Sequence, residues 1–108
     1  MAAGLLPIRL AEMANTSSDQ RAHQRYQINR AAWIAWTSEH GLPRRVPAVC
    51  YDLSKGGACV QVHEAIPVGT ALTLGVPVAA LETKAVVRRC GPGRKGFALG
   101  VEFETPLP

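Results

Sequence analysis

At 108 residues, 47% of them hydrophobic, the chain holds one domain with a single core and little left over for a second. Its three cysteines form no C-x-x-C and lie far from the three histidines, so zinc is not expected, and no apolar run approaches the ~18 residues of a membrane-crossing helix. The net charge of +4 resides in one third of the sequence: residues 21–55 carry six basic side chains against Glu39 and Asp52, which points to an anionic partner.

In chain order, residues 1–20 lack a charged leader, and Pro7 and Arg9 interrupt their apolar stretch. A signal peptide is not expected there, and the protein reads as soluble and cytoplasmic. Met13 offers a second start, and Asn15–Gln20 forms a flexible lead-in. "RAHQR" (21–25) follows, placing Arg21 and Arg25 four apart just ahead of the first strand.

From there the pattern is of short apolar runs separated by turn residues. "AAWIAWT" (31–37) is the first strand, "SEHGLPR" (38–44) a loop, and "VPAVCYDL" (46–53) the second strand. Trp33 and Trp36, three apart, fall on opposite faces, one toward the core. "YDLSKGG" (51–57) breaks the pattern and sets Asp52, Ser54 and Gly57 at fixed offsets. "ACVQVH" (58–63) alternates, with Gln61 and His63 on the outer face. After the turn "AIPVG" come "TALTLGV" (70–76), "TKAVVRRC" (83–90), the glycine-rich hairpin loop "GPGRKG" (91–96) and the strictly alternating "FALGVEF" (97–103). Period-two alternation broken every eight to twelve residues predicts an all-β, six-stranded antiparallel barrel, because closure removes exposed edges. Residues 105–108 read as a tail, and no C-terminal helix is expected. Cys50 and Cys59 fall within strands and read as small buried hydrophobes. Arg30, Arg44, Arg45, Arg88, Arg89, Arg94 and Lys95 read as solvated surface charges, and Tyr26 as a packing residue.

Arg21-x-x-x-Arg25 ahead of the barrel and Asp52-x-Ser54-x-x-Gly57 between the second and third strands together resemble the PilZ domain, a bacterial receptor module for cyclic di-GMP. The resemblance spans about residues 20–104 and includes the spacing of Gly69, Leu72 and Leu74, "AVVRR", and the closing "GVEF", with the barrel domain itself at 21–104. It implies a PilZ-type barrel with a flexible arm, cyclic di-GMP as ligand rather than any cofactor, Arg21, Arg25, Asp52, Ser54 and Gly57 as binding residues, and a downstream protein partner. Many members carry a further arginine beside the first motif position; here Gln20, Ala22 and Gln24 add no charge, which implies weaker binding.

The chemistry of the residues fits that ligand. Guanine presents O6 and N7 as paired acceptors that match a guanidinium fork, and arginine also lies flat on a purine face. Asp52 accepts from the opposite guanine edge, N1–H and N2–H₂. Ser54 has a hydroxyl to donate to a phosphate, and Gly57 allows a positive φ, close backbone approach and exposed N–H groups. Asp, Ser and Gly at a strand end also commonly cap their own backbone, and that reading stands beside the ligand one. Two other functions remain in view: a nucleotide-independent adaptor that binds a partner protein, and a single-stranded nucleic-acid barrel. Six aromatics in all are thin for the latter. No nucleophile–base set, paired carboxylates or metal cluster is present, so no enzyme is expected.

Overall fold

In the computed structural model, which describes residues 25–108, the first strand begins earlier than its apolar run. Strand β1 spans Tyr26–Thr37 and β2 spans Pro43–Leu53, with Tyr26 opposite Leu53 and Thr37 opposite Pro43. The sequence placed these starts at 31 and 46. Ladder hydrogen bonds need only backbone groups, so polar residues flanking an apolar run extend a strand that hydropathy cannot see. Ser38 closes the connecting turn: its N–H donates to Leu42 O at 2.8 Å and its Oγ accepts from Leu42 N–H at 3.2 Å. Gly41, at φ +78°, supplies the left-handed residue there. Arg21 and the arm ahead of it lie outside the described residues.

Strands β3 (Gly57–Val62), β4 (Ala71–Val76), β5 (Leu81–Gly93) and β6 (Gly96–Phe103) complete the fold, with one 3₁₀ turn at Pro77–Ala79. Every pairing is antiparallel, and the strands close in the order β1-β2-β3-β6-β5-β4. Each strand therefore has two neighbours, although β2 meets β3 only over Val49–Leu53 and β1 meets β4 only over Trp33–Ala35. This is the six-stranded barrel that alternation predicts. The loop expected over residues 91–96 is shorter than expected: β5 continues to Gly93, which pairs with Gly96 and leaves Arg94–Lys95 as the turn.

Alternation fills the interior with aliphatic side chains. Ala58, Val60 and Val62 from β3 meet Leu99, Val101 and Phe103 from β6, all buried. Ile34, Leu53, Leu74 and Leu99 are fully buried, each contributing about 2 kcal/mol of apolar transfer. The two tryptophans do fall on opposite faces, and Trp36 is the one turned toward the core. Trp36 is half-buried against the core, while Trp33 lies outside, over Gly75 and beneath the Arg45 guanidinium, 3.9 Å from the ring centroid. Residues 105–108, read as a tail, fold back: Leu107 N–H donates to Lys55 O at 2.8 Å and its side chain packs against the core.

Three irregularities interrupt the ladders. Between Gln27 and Arg30, where Asn29 takes φ +46°, β1 gains a residue relative to β2. Tyr51 is extra in β2 relative to β3, and Arg88 is extra in β5 relative to β6. Bulges re-aim side chains next to them, and all three lie on one side of the barrel wall beside the Asp52–Gly57 turn.

Candidate functional site

The turn after β2 is built by Ser54. Its N–H donates to Gly57 O at 2.9 Å, and its Oγ accepts from Gly56 N–H at 3.2 Å and Gly57 N–H at 3.1 Å. The hydroxyl proton goes to Gly57 O at 3.2 Å, so the side chain, only 7% exposed, is wholly engaged within its own turn. Here the Ser54 proton and the Gly57 N–H, expected to face an anion, are both engaged within the turn. Gly57 does not take a positive φ. It is glycine because β6 runs against it, and a Cβ there would sit 2.2 Å from Val101 O.

Asp52 stands beside this turn, turned outward by the Tyr51 bulge. The Arg25 guanidinium reaches it across the start of β1: Nη1 donates to Oδ1 at 3.1 Å and to Oδ2 at 3.3 Å. The two side chains are 29% and 24% exposed, so their attraction is screened and the pair stabilises the fold by no more than about 1 kcal/mol.

Arg25, Ser54 and Gly57 form one rim of a cavity of about 340 Å³ whose other rim is Arg88, Arg89 and Glu102. Arg88 Nε donates to Glu102 Oε1 at 2.7 Å. The Arg89 guanidinium lies on the backbone of Gly100, where a Cβ would come within 2.8 Å of it. It has no ion pair among the described residues. On its far side, Asp52 borders a second hollow of about 600 Å³ with Gln27, Asn29, Tyr51 and Arg94.

Two thiols adjoin this surface, Cys50 beneath it and Cys59 on it. Burial pushes Cys50 up to about 12, helped by the Asp52 carboxylate and by Cys59, and its Sγ–H donates to Asp52 O at 3.3 Å. Burial and Asp52 also raise Cys59, against the opposing pull of Arg89 and Arg25. Both are neutral thiols near pH 7, and neither is an activated nucleophile. Cys50 is the buried hydrophobe expected; Cys59 is half-buried on the outer face.

The family model for the PilZ domain matches residues 19–108. The chain belongs to the PilZ domain family. Among solved structures, the PilZ domain of YcgR from Escherichia coli with c-di-GMP is similar, with a TM-score of 0.53 at 16% identity, covering 80% of this chain and 79% of that one. At that identity the likeness speaks for the fold. No curated protein matches.

Of the motif residues in this PilZ domain, Arg25, Asp52, Ser54 and Gly57 meet at one corner, and Arg21 lies outside the described residues. Sequence reasoning treated Arg88, Arg89 and Arg94 as scattered surface charge. The structure brings the first two onto the same cavity as Arg25 and the third beside Asp52. Two consecutive strand residues normally face opposite ways, and only the bulge at Arg88 exposes both arginines on one side. No sequence pattern marks that bulge.

Proposed function

We propose that this PilZ domain is a receptor for cyclic di-GMP, with the arginine arm closing over the Asp52 corner when ligand binds. One observation carries the reading: the Arg25 guanidinium, 27 residues from Asp52 in sequence, is held on its carboxylate at the mouth of a cavity lined by two more arginines. Three guanidiniums, from Arg25, Arg88 and Arg89, then face the ligand's two phosphates and guanine acceptor edges. The Asp52 carboxylate is the acceptor for a guanine N1–H and N2–H₂ edge. Ser54 and Gly57 act indirectly, fixing the turn on which Asp52 stands. Arg21, four residues before Arg25, adds a fourth guanidinium as the arm is ordered. The extent of ordering is limited by how much more tightly the ligand binds the ordered arm.

Calorimetric titration of the intact chain with cyclic di-GMP tests this. Saturable binding that is lost in both Arg25→Ala and Asp52→Ala is expected. Absence of heat up to about 100 µM ligand overturns the reading. The self-contained bonding of Ser54 favours a second role, that of a nucleotide-independent adaptor whose motif serves only the fold. Its signature is a protein partner retained equally with and without cyclic di-GMP, and by Arg25→Ala.

A further inference from the structure

Gln61 faces outward from β3 by alternation, yet it is only 8% exposed, and neither its Nε2 nor its Oε1 has a hydrogen-bond partner among the described residues. It is buried by the β5–β6 hairpin, which curls over the outer wall so that a Cβ at Gly93 would meet Gln61 Oε1 at 2.3 Å. A carboxamide in this state has given up its water without replacing it, and it is among the costlier groups to bury. Alternation leaves this position on the solvent side, so the burial comes from the hairpin alone.

Gln61 forms the inner end of a groove of about 330 Å³ between β2 and the hairpin tip. Pro47, Val49 and Tyr51 make a flat, largely apolar wall on the β2 side, and Arg94 and Lys95 stand opposite. No carboxylate lines the groove. The tip is fastened at its end by a hydrogen-bond contact between His63 Nδ1 and Lys95 O, 3.1 Å. Glycines at 93 and 96, the latter at φ +141°, let the tip lie directly on Gln61 and on the Val62 backbone, so a ligand reaches the amide only when the tip lifts.

We propose that this groove, which meets the hollow beside Asp52 at Tyr51 and Arg94 but extends away from it to Gln61, is a second ligand site that takes a nucleoside monophosphate: a planar heterocycle bearing an anionic group. The base lies against Tyr51 and Pro47 and reaches under the lifted hairpin tip, where its donor–acceptor edge pairs with the Gln61 carboxamide, a group that offers one of each. The phosphate rests between Arg94 and Lys95. A groove of this volume fits one such ring with its phosphate. An extended peptide finds little strand edge here: β2 lacks a β3 partner only ahead of Val49, and of that stretch the groove is lined by Pro47, which has no N–H, and Ala48. Binding gives the stranded amide the partner it lacks, and that is the physical reason a polar residue occupies the position.

The test is an NMR titration of the ¹⁵N-labelled full chain with GMP, AMP and UMP, alongside ribose 5-phosphate and inorganic phosphate. At least one nucleotide is expected to shift the Gln61 side-chain amide pair and the Arg94 resonances saturably, while phosphate alone moves only the Arg94–Lys95 turn. Gln61→Met, which removes the amide and keeps the volume, is expected to weaken binding at least tenfold, and Arg94→Ala to weaken it with loss of salt dependence. Asp52→Ala is expected to leave it unchanged. The proposal is overturned if no nucleotide moves the Gln61 amide at about 10 mM, or if Gln61→Met binds as well as the parent. It is equally overturned if Asp52→Ala abolishes nucleotide binding, since the ligand then sits at the corner. Loss of cyclic di-GMP binding in the same Asp52→Ala protein reports on the receptor reading alone.

Discussion

Ser54 and Gln61 are the two buried polar side chains among the described residues, 7% and 8% exposed, and they are treated in opposite ways. The Ser54 oxygen takes part in three hydrogen bonds within its turn, whereas the Gln61 amide takes part in none. Ser54 is buried by its own local structure, and the partners arrive with the burial. Gln61 is buried by a hairpin some thirty residues further along, whose glycines bring bulk without hydrogen-bond partners. Equal burial thus marks a structural post in one case and an unmet bonding capacity in the other.

The contrast breaks first at Gly57. Gly57→Ala forces a Cβ against Val101 O, and no flexible side chain is there to yield. A loss of about 3 kcal/mol is expected by chemical denaturation, with the Asp52 corner disrupted alongside. An unchanged midpoint would mean that β6 can retreat and that the turn is not held as described. Gln61→Met should act in the opposite direction: removing an unbonded amide at equal volume is expected to raise stability by about 2 kcal/mol, read as a higher Tm. Any destabilisation would show that the amide is bonded in solution, and the comparison would fail. Ser54→Ala strands the Gly56 and Gly57 N–H groups and is expected to cost about 1.5 kcal/mol.

The smallest effect is set by pH. Cys50 is held neutral in the folded protein, its value raised from 9.0 to about 12. In the unfolded chain the thiol ionises from pH 9 upward, so its contribution is complete below that and is lost as pH rises toward 12. About 1 kcal/mol should be gone by pH 10, and Cys50→Ala should flatten that part of the stability profile relative to the parent. Identical slopes would place Cys50 in contact with water.

Much of the fold was legible because alternation is a property of sequence. The inward set Ala58, Val60 and Val62 and the run ending at Phe103 read directly as barrel wall. The corner was legible as a pattern of residue types, but the parts of Ser54 and Gly57 were not. Whether a hydroxyl serves its own turn or a ligand depends on distances of a few tenths of an ångström, and Gly57 is dictated by β6, over forty residues away. The bulges at Tyr51 and Arg88 were invisible for a different reason: an extra residue in one strand is defined only against its partner. That is why Arg89 looked like one surface charge among many. Gln61 belongs with the bulges, since alternation places its face and only the folded chain shows the hairpin that covers it.

The central claim, that the arm's arginine exchanges the Asp52 carboxylate for a cyclic di-GMP ligand, is tested most directly at the arginine itself. In ¹⁵N spectra of the arginine side chains, cyclic di-GMP should shift the Arg25 resonance saturably, with the same midpoint as calorimetry, and Asp52→Ala should abolish that shift. Saturable binding during which Arg25 does not move would contradict the account and place the ligand elsewhere on the barrel.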